Sequence, residues 1–245
     1  MTDVWADPPG PTERYYVEKS VRLPEGFLCY TPPADAPAVS DPPREKTGHV
    51  TFGSFNALAK ITPQVIALWA EIMKSLPESR MVLKSHALTD ARVRERFQGL
   101  FEKEKIESSR VSLLGHIRER SQHLVQYHEI DVALDSFPYN GTTTTCESLW
   151  MGVPVIALVG NTHAGRVGLS LLSQIGLTEL ACADPEEYKT NACKLAQDLP
   201  RLKMLRHGLR QRLRHSPLSD GPKHARAVEA AYREMWRTWC DRPVA

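Results

Sequence analysis

Four consecutive threonines, Thr142 to Thr145, open a predicted helix and supply hydroxyl groups at its N-terminus. A helix N-terminus carries unpaired backbone N–H groups and about half a positive charge, so it binds phosphate groups. Glu147 lies one turn into the same helix, close enough to reach a sugar hydroxyl. The stretch therefore predicts a site for a nucleotide diphosphate, with the carboxylate of Glu147 on the ribose.

The same residues also suit an ordinary capped helix. Threonine is a good N-cap, and a glutamate near the start of a helix suits both a capping box and the helix dipole. Only one of the four threonines can be the cap, and β-branched residues are poor in helix interiors. Capping alone therefore leaves most of the threonine run unexplained, and both interpretations stay open.

Short apolar segments alternate with amphipathic helices from residue 49 onward. This alternation predicts parallel βαβ units with right-handed crossovers, in a doubly wound α/β sheet covered by helices on both faces. The predicted strands are HVTFGSF, RMVLK, RVSLLG, DVALD and PVIALV, and the last three predicted helices cover 184–198, 199–215 and 222–240.

Polar side chains follow the ends of these strands, where ligands bind in open parallel sheets. A lysine there could balance the charge of a diphosphate. Lone lysines and histidines are also ordinary solvated side chains, so Lys84 is left outside the predicted site, and His163 and Arg166 are assigned to a turn and a helix start. The candidates at the strand ends are Asn56 and Lys60 after the first strand, Lys84 at the end of the second, His116, Arg118, Arg120 and His123 after the third, and the threonine loop after the fourth.

Several catalytic motifs are absent. The sequence has no P-loop lysine motif and no G-x-G-x-x-G, so phosphate binding would depend on the helix terminus. It has no G-x-S-x-G elbow, which disfavours a hydrolase. His116, His123 and His128 lack a metal-ligand spacing with carboxylates, so no metal is expected. Cys146 has no obvious base and is expected to be a packing residue.

The composition is that of an ordinary globular protein, with 42% hydrophobic and 24% charged residues. The formal net charge of +2 provides no broad field that would favour nucleic acid. The five cysteines form no C-x-x-C pair, which favours reduced thiols and a cytoplasmic location. Neither a membrane span nor a signal-peptide pattern is recognisable.

The first 48 residues differ from the rest because they are rich in proline and aromatic residues. We predict that residues 1–48 form an extended segment that packs on a neighbouring domain, and that residues 49–245 form the nucleotide-binding domain with its C-terminal helices. An apolar stripe on the last helix predicts packing into the core, or a latch onto a second domain.

Two long motifs carry a family resemblance. The SPINDLY / O-linked N-acetylglucosamine transferase family has a catalytic region that closely resembles FGSFNALAKITPQVIALWAEIMKSLPESRMVLK and LDSFPYNGTTTTCESLWMGVP, and its preceding segment resembles ADPPGPTERYYVEKSVRLPEGFLCY. The resemblance covers nearly the whole chain. It implies the second, donor-binding Rossmann-like domain of a GT-B glycosyltransferase. Such an enzyme transfers a sugar, here N-acetylglucosamine, from a nucleotide-sugar to Ser or Thr of acceptor proteins, without a metal or other cofactor.

The resemblance also implies roles for single residues. Lys60 matches the catalytic lysine on the donor diphosphate, where a fixed cation stabilises the charge that grows on the leaving group. Glu147 matches an acidic residue on the ribose, and His123 matches a histidine beside the nucleoside. The resemblance implies further donor-binding residues in the following places. Asn56 accompanies Lys60, and Arg118 and Arg120 are on the loop that lies against the base. Thr143 and Thr144 are at the pyrophosphate, and Thr142 is in the same loop.

The chain departs from the family pattern in two ways. Thr142 replaces the histidine of the animal N-acetylglucosamine transferases, and GTTTTCES resembles the SPINDLY branch, whose plant members are associated with fucose transfer from GDP-fucose. The donor is therefore expected to be UDP-N-acetylglucosamine, with GDP-fucose as the alternative. The first Rossmann domain and the tetratricopeptide repeats are absent, so we expect a fragment that needs the missing half in cis or in trans, or that binds nucleotides without catalysis.

Overall fold

A computed structural model describes residues 1–10 and 12–241, apart from the side chain of Arg120. The strands are β1 Thr51–Ser54, β2 Arg80–Lys84, β3 Val111–Leu114, β4 Val132–Leu134, β5 Val155–Leu158 and β6 Ala181–Cys182. The helices are α1 Arg44–Thr47, α2 Pro63–Ser75, α3 Ala91–Lys103, α4 Arg120–Val125, α5 Thr143–Trp150, α6 Val167–Gln174, α7 Pro185–Gln197, α8 Leu199–Arg214 and α9 Gly221–Cys240.

The six strands form one parallel sheet in the order β3-β2-β1-β4-β5-β6. This order confirms the predicted doubly wound α/β fold. The chain reverses its direction of strand addition between β1 and β4, which pair with Phe52 opposite Val132. The crevice at the carboxyl ends of these two strands is where such sheets bind ligands. The two-residue β6 was not predicted, because it is too short to show an apolar pattern.

Local sequence signals determine where the helices begin. The Thr62 hydroxyl accepts a hydrogen bond from the backbone N–H of Val65 at 3.4 Å, and Pro63 occupies the first helical position of α2. The buried side of α2 includes Trp69, whose indole N–H donates to the hydroxyl of Tyr188 on α7 at 3.1 Å. Aspartates cap four other helices in the same way, namely Asp90, Asp184, Asp198 and Asp220.

The proline-rich segment 1–48 runs over the surface of the same domain. The buried carboxylate of Asp3 accepts a hydrogen bond from the Ser170 hydroxyl at 2.5 Å, and the backbone N–H of Tyr30 donates to the carbonyl of Leu218 at 2.7 Å. Tyr15 and Tyr16 remain exposed. The packing of this segment on a second domain therefore stays a prediction.

The last helix, α9, does not enter the core. None of its 20 residues is buried, and Tyr232 and Trp236 are 59% and 67% exposed. It begins after the turn Pro217–Ser219 and packs on that turn. The expectation that its apolar stripe belongs to the core is therefore wrong for this chain. Among the described helices, none is both long enough and apolar enough to cross a membrane.

Candidate functional site

Asp135 lies at the end of β4, at the centre of the switch-point crevice. Its Oδ1 accepts three hydrogen bonds, from the side-chain amide of Asn56 at 2.9 Å and from the backbone N–H groups of Ser136 at 2.9 Å and Gly141 at 2.7 Å. Asn56 follows β1, whereas Gly141 precedes the threonine helix α5. One buried carboxylate therefore joins the loops that carry the predicted donor-binding residues.

The raised pKa of Asp135 predicts how the stability of the domain responds to pH. Burial raises this pKa from 3.8 to about 7, against the hydrogen bonds and the nearby Lys60 cation, which lower it. The folded state holds the proton more tightly, so the contribution of Asp135 to stability falls as pH rises from about 4 to about 7.

Asp135→Asn cannot ionise. Compared with the wild type, the variant should therefore gain about 1–4 kcal/mol in unfolding free energy between pH 4.5 and pH 8. Urea unfolding of both chains at the two pH values measures this change. A difference between the chains that does not vary with pH would contradict the prediction.

Lys60 lies at the end of the short turn that follows β1. Its ammonium donates a hydrogen bond to the carbonyl of Asn140 at 2.8 Å and lies 3.8 Å from the centre of the Tyr139 ring. Partial burial lowers its pKa, and the Asp135 carboxylate opposes that shift. Since an ammonium has three donors, and the described residues use one of them, two remain for a ligand.

The threonine loop does not behave as a simple cap. Thr142 occupies the N-cap position of α5, but its side chain makes no capping hydrogen bond. Thr143 is exposed, and the Thr144 hydroxyl donates to Oδ1 of Asn56 at 2.7 Å. The capping interpretation therefore lacks its defining contact, and the first N–H groups of α5 receive no bond from the N-cap side chain.

A second cluster joins the ends of β2, α4 and α5. The ammonium of Lys84 contacts Nδ1 of His123, and Nε2 of His123 lies 3.0 Å from Oε2 of Glu147. An ammonium can only donate, so Nδ1 accepts and the ring proton is on Nε2, which donates to Glu147. Burial lowers the pKa of Lys84, and the nearby Glu147 opposes that shift. Lys84 therefore contacts His123, a predicted donor-binding residue, although the sequence analysis left Lys84 outside the predicted site.

The remaining predicted residues lie apart from these two clusters. Arg118 is exposed and makes no hydrogen bond or ion pair within the described part of the chain. Arg120 begins α4, and its side chain lies outside the described structure. His163 lies 2.6 Å from the carboxylate of Asp7, and Arg166 donates to the carbonyl of Trp5 at 2.8 Å. Both of these side chains therefore hold the N-terminal segment.

Cys146 is not a candidate nucleophile. It is 1% exposed, and burial raises the pKa of its thiol to about 12, so the thiolate is scarce at neutral pH. All five cysteines are unpaired. No group of three or more His, Cys, Asp or Glu side chains with metal-site geometry occurs among the described residues.

Sequence reasoning missed Asp135, Tyr139 and Asn140. Asp135 carried a usable signal, because it is a carboxylate at the end of a buried strand, directly before the threonine loop. Asn140 is fully buried, and its Oδ1 accepts from the backbone N–H of Gly168 at 3.1 Å, while its carbonyl holds Lys60. A backbone contact of this kind has no signature in a single sequence.

The family profile of Glycosyl transferase family 41 matches residues 44–228, which is more than half of the chain. The chain belongs to this family. The match includes both clusters of the site. It also agrees with the resemblance of the two long motifs to SPINDLY and O-linked N-acetylglucosamine transferases.

The family 41 chain is similar to proteins and structures of known kinds. It is 46% identical over 244 residues to a protein of Solanum lycopersicum named probable UDP-N-acetylglucosamine–peptide N-acetylglucosaminyltransferase SPINDLY, covering 100% of this chain and 26% of that protein. The structure of an O-GlcNAc transferase mutant of Thermobaculum terrenum superposes with a TM-score of 0.91 at 40% identity, covering 98% of this chain and 45% of the other.

More distant structures support the fold alone. TarM of S. aureus, solved in complex with UDP and other ligands, superposes with a TM-score of 0.60 at 11% identity, covering 89% of this chain and 41% of the other. The α/β sheet of the family 41 chain is thus the Rossmann-like sheet of GT-B glycosyltransferases. The chain spans about a quarter of the length of the curated relatives that it matches.

Proposed function

We propose that this family 41 chain is the donor-binding part of a protein O-glycosyltransferase. The enzyme transfers N-acetylglucosamine from a nucleotide-sugar to Ser or Thr of acceptor proteins and uses no metal. The observation that carries the proposal is the position of Lys60 beside the loop before α5, at the switch point of a family 41 sheet. A cation and a helix N-terminus converge there, which is what a diphosphate leaving group requires.

The cluster around Lys60 and the cluster around Glu147 have different proposed roles. Lys60 and the first N–H groups of α5 bind the diphosphate and stabilise the negative charge that grows on it as the bond to the sugar carbon breaks. Glu147, with His123 on one of its oxygens, offers a carboxylate to the ribose hydroxyls. Arg118 and Arg120 lie on the approach to α4, where we propose that the base binds.

Residues 1–48 and α9 present an exposed surface that a second domain could cover. Their exposed aromatic side chains include Tyr15, Tyr16, Tyr232 and Trp236. We propose that a first Rossmann domain, present in cis or in trans, covers part of this surface and helps to bind acceptor proteins. The unpaired cysteines fit a protein that works in the reducing cytoplasm.

Calorimetric titration of the chain with UDP, GDP, UDP-N-acetylglucosamine and GDP-fucose tests the proposed function. We expect micromolar to millimolar binding of the uridine compounds. A preference for GDP and GDP-fucose would redirect the proposal to fucose transfer. If none of the four ligands bound the folded chain, the donor-binding role would be refuted.

Glu147→Gln should weaken nucleotide binding by about tenfold or more, because a hydrogen bond to a charged group contributes about 1.5–3 kcal/mol. The variant keeps the shape of the side chain and removes its charge. Glu95→Gln is the matched control, because Glu95 is exposed on α3. Equal affinities for Glu147→Gln and the wild type would exclude a ribose contact through this carboxylate.

A further inference from the structure

The hydrogen bond between Asn56 and Asp135 spans the switch point of the sheet. It joins residues 79 positions apart in sequence, and both side chains are at least nine-tenths buried. Asn56 directly precedes the turn that ends in Lys60. Asp135 accepts a hydrogen bond from the backbone N–H of Gly141 in the threonine loop. The two halves of the proposed diphosphate site therefore meet in this one contact.

The same contact extends into the threonine helix. The Nδ2 group of Asn56 donates to Asp135, while its Oδ1 accepts from the Thr144 hydroxyl at 2.7 Å. Gly141 permits this close approach, because a Cβ atom there would lie 2.5 Å from the Thr144 hydroxyl and 2.7 Å from Oδ1 of Asn56. Asn56 therefore fixes three elements to each other, namely the threonine loop, helix α5 and the turn that ends in Lys60.

The second carboxylate oxygen of Asp135 indicates that the residue serves more than local structure. This Oδ2 is buried without a hydrogen-bond partner in the described part of the chain, and it lies 3.4 Å from the point where a Cβ on Gly168 would sit. A buried carboxylate that is only half satisfied costs stability. Against this cost, the residue supplies the three hydrogen bonds that its Oδ1 accepts from Asn56, Ser136 and Gly141.

We propose that Asp135 is a positioning residue for the nucleotide, acting through Asn56 and Gly141. It sets the distance between the Lys60 ammonium and the first N–H groups of α5. Lys60 faces Asp135 from the turn after β1, and Tyr188 on α7 donates to its backbone carbonyl at 2.9 Å. The proposal rests on the proposed function, because it specifies how the same site holds a diphosphate.

A double-mutant cycle of isosteric variants tests the proposal, with the affinity for UDP and GDP measured calorimetrically on the 245-residue chain. Asn56→Asp removes the donor and sets two carboxylates against each other, so affinity should fall at least tenfold. Asp135→Asn alone should weaken binding by no more than about threefold, because its side-chain oxygen still accepts. The exchanged pair, Asn56→Asp with Asp135→Asn, again holds one carboxylate instead of two, so it should recover at least about threefold of the affinity that Asn56→Asp loses. Recovery should be incomplete, because the oxygen at position 135 still accepts from the N–H groups of Ser136 and Gly141.

Asp131 provides the matched control. It is a buried aspartate directly before the same strand β4, at the opposite end from Asp135, where it accepts from the backbone N–H groups of Thr51 at 2.8 Å and Arg44 at 3.1 Å. Asp131→Asn should leave nucleotide affinity unchanged and should not rescue Asn56→Asp. The melting temperature of each variant shows that it is folded.

The outcomes separate the two proposals. Additive effects of the two single substitutions, or equal rescue by Asp131→Asn, would overturn the positioning role of Asp135 while leaving nucleotide binding intact. A wild-type chain that bound none of the nucleotides would refute the proposed function itself, and the positioning role with it.

Discussion

Lys60→Ala should lower the turnover of the enzyme that carries this chain by about 10²- to 10³-fold, the loss typical of removing one electrostatic group from a transition state. The Asn140 carbonyl and the Tyr139 ring hold the Lys60 ammonium in place, so the proposed diphosphate site needs no movement of this side chain. Its effect should be larger on kcat than on donor affinity, because the diphosphate gains charge only as the sugar bond breaks. Steady-state kinetics with saturating donor measure the loss.

A surface lysine separates this effect from a general loss of positive charge. Lys74 lies on α2, where its half-exposed ammonium is 3.5 Å from the carboxylate of Glu104. Lys74→Ala should retain wild-type turnover, since an exposed pair of this kind contributes little. If Lys60→Ala were folded and turned over at a near-normal rate, the catalytic role of Lys60 would be excluded.

The titrations of Asp135 and Lys60 are linked. Burial raises the pKa of Asp135 to about 7 and lowers the pKa of Lys60, which must be protonated to bind a diphosphate in the proposed site. Each charge favours the other, because the carboxylate opposes the shift of the lysine and the ammonium opposes the shift of the aspartate. The Asp135 carboxylate therefore helps the partly buried Lys60 to stay protonated.

The fold was predictable because its signals are local and repeated. Most strands are short apolar runs. Five of the described helices, α2, α3, α7, α8 and α9, begin at a side-chain cap such as Thr62 before Pro63. The parallel, doubly wound sheet followed from general rules for βαβ units once the alternation was recognised, whereas the order of the strands was not predicted. By contrast, β6 has only two residues, and the apolar stripe of α9 fitted both core packing and a latch onto a second domain, so the sequence did not decide between them.

Sequence reasoning assigned residues to the proposed site only where their type suits its chemistry. Lys60 and His123 follow predicted strands, Glu147 lies in the threonine helix, and the individual roles of Lys60 and His123 came from the family resemblance. Lys84 was left out of the predicted site because most lone lysines are solvated side chains, although the structure buries it against His123. Which side chains meet across β1, β2 and β4 depends on the twist and register of the sheet, and one sequence does not reveal these.

Arg206 connects the proline-rich segment, at Ser40, to the residues that lie between α4 and β4. This arginine on α8 is 1% exposed, and its guanidinium makes four hydrogen bonds. Two go to the carbonyl and hydroxyl of Ser40, at 3.0 and 2.8 Å, and two go to the carbonyls of Ile130 and Tyr127, at 2.8 and 3.0 Å. Burial lowers its pKa to about 10, so it remains charged at neutral pH.

Arg206→Ala should therefore destabilise the domain by about 3–5 kcal/mol, the usual cost of removing one partner from a buried charged network. The substitution leaves three buried carbonyls and the Ser40 hydroxyl without their donor. Arg206→Lys should recover only part of the loss, because an ammonium cannot reproduce the planar set of donors. Urea unfolding at pH 7 measures the change in free energy for each variant.

Arg212→Ala is the control for this stability prediction, because Arg212 is exposed on the same helix. Its unfolding free energy should stay within about 0.5 kcal/mol of the wild type. Arg206→Ala, where still folded, should bind nucleotide with nearly unchanged affinity, since Arg206 holds backbone carbonyls between α4 and β4 and contacts neither Lys60 nor Glu147. A loss below about 1 kcal/mol would mean that water or neighbouring donors replace the guanidinium. The proline-rich segment would then be held mainly by its contacts near Asp3 and Asp7.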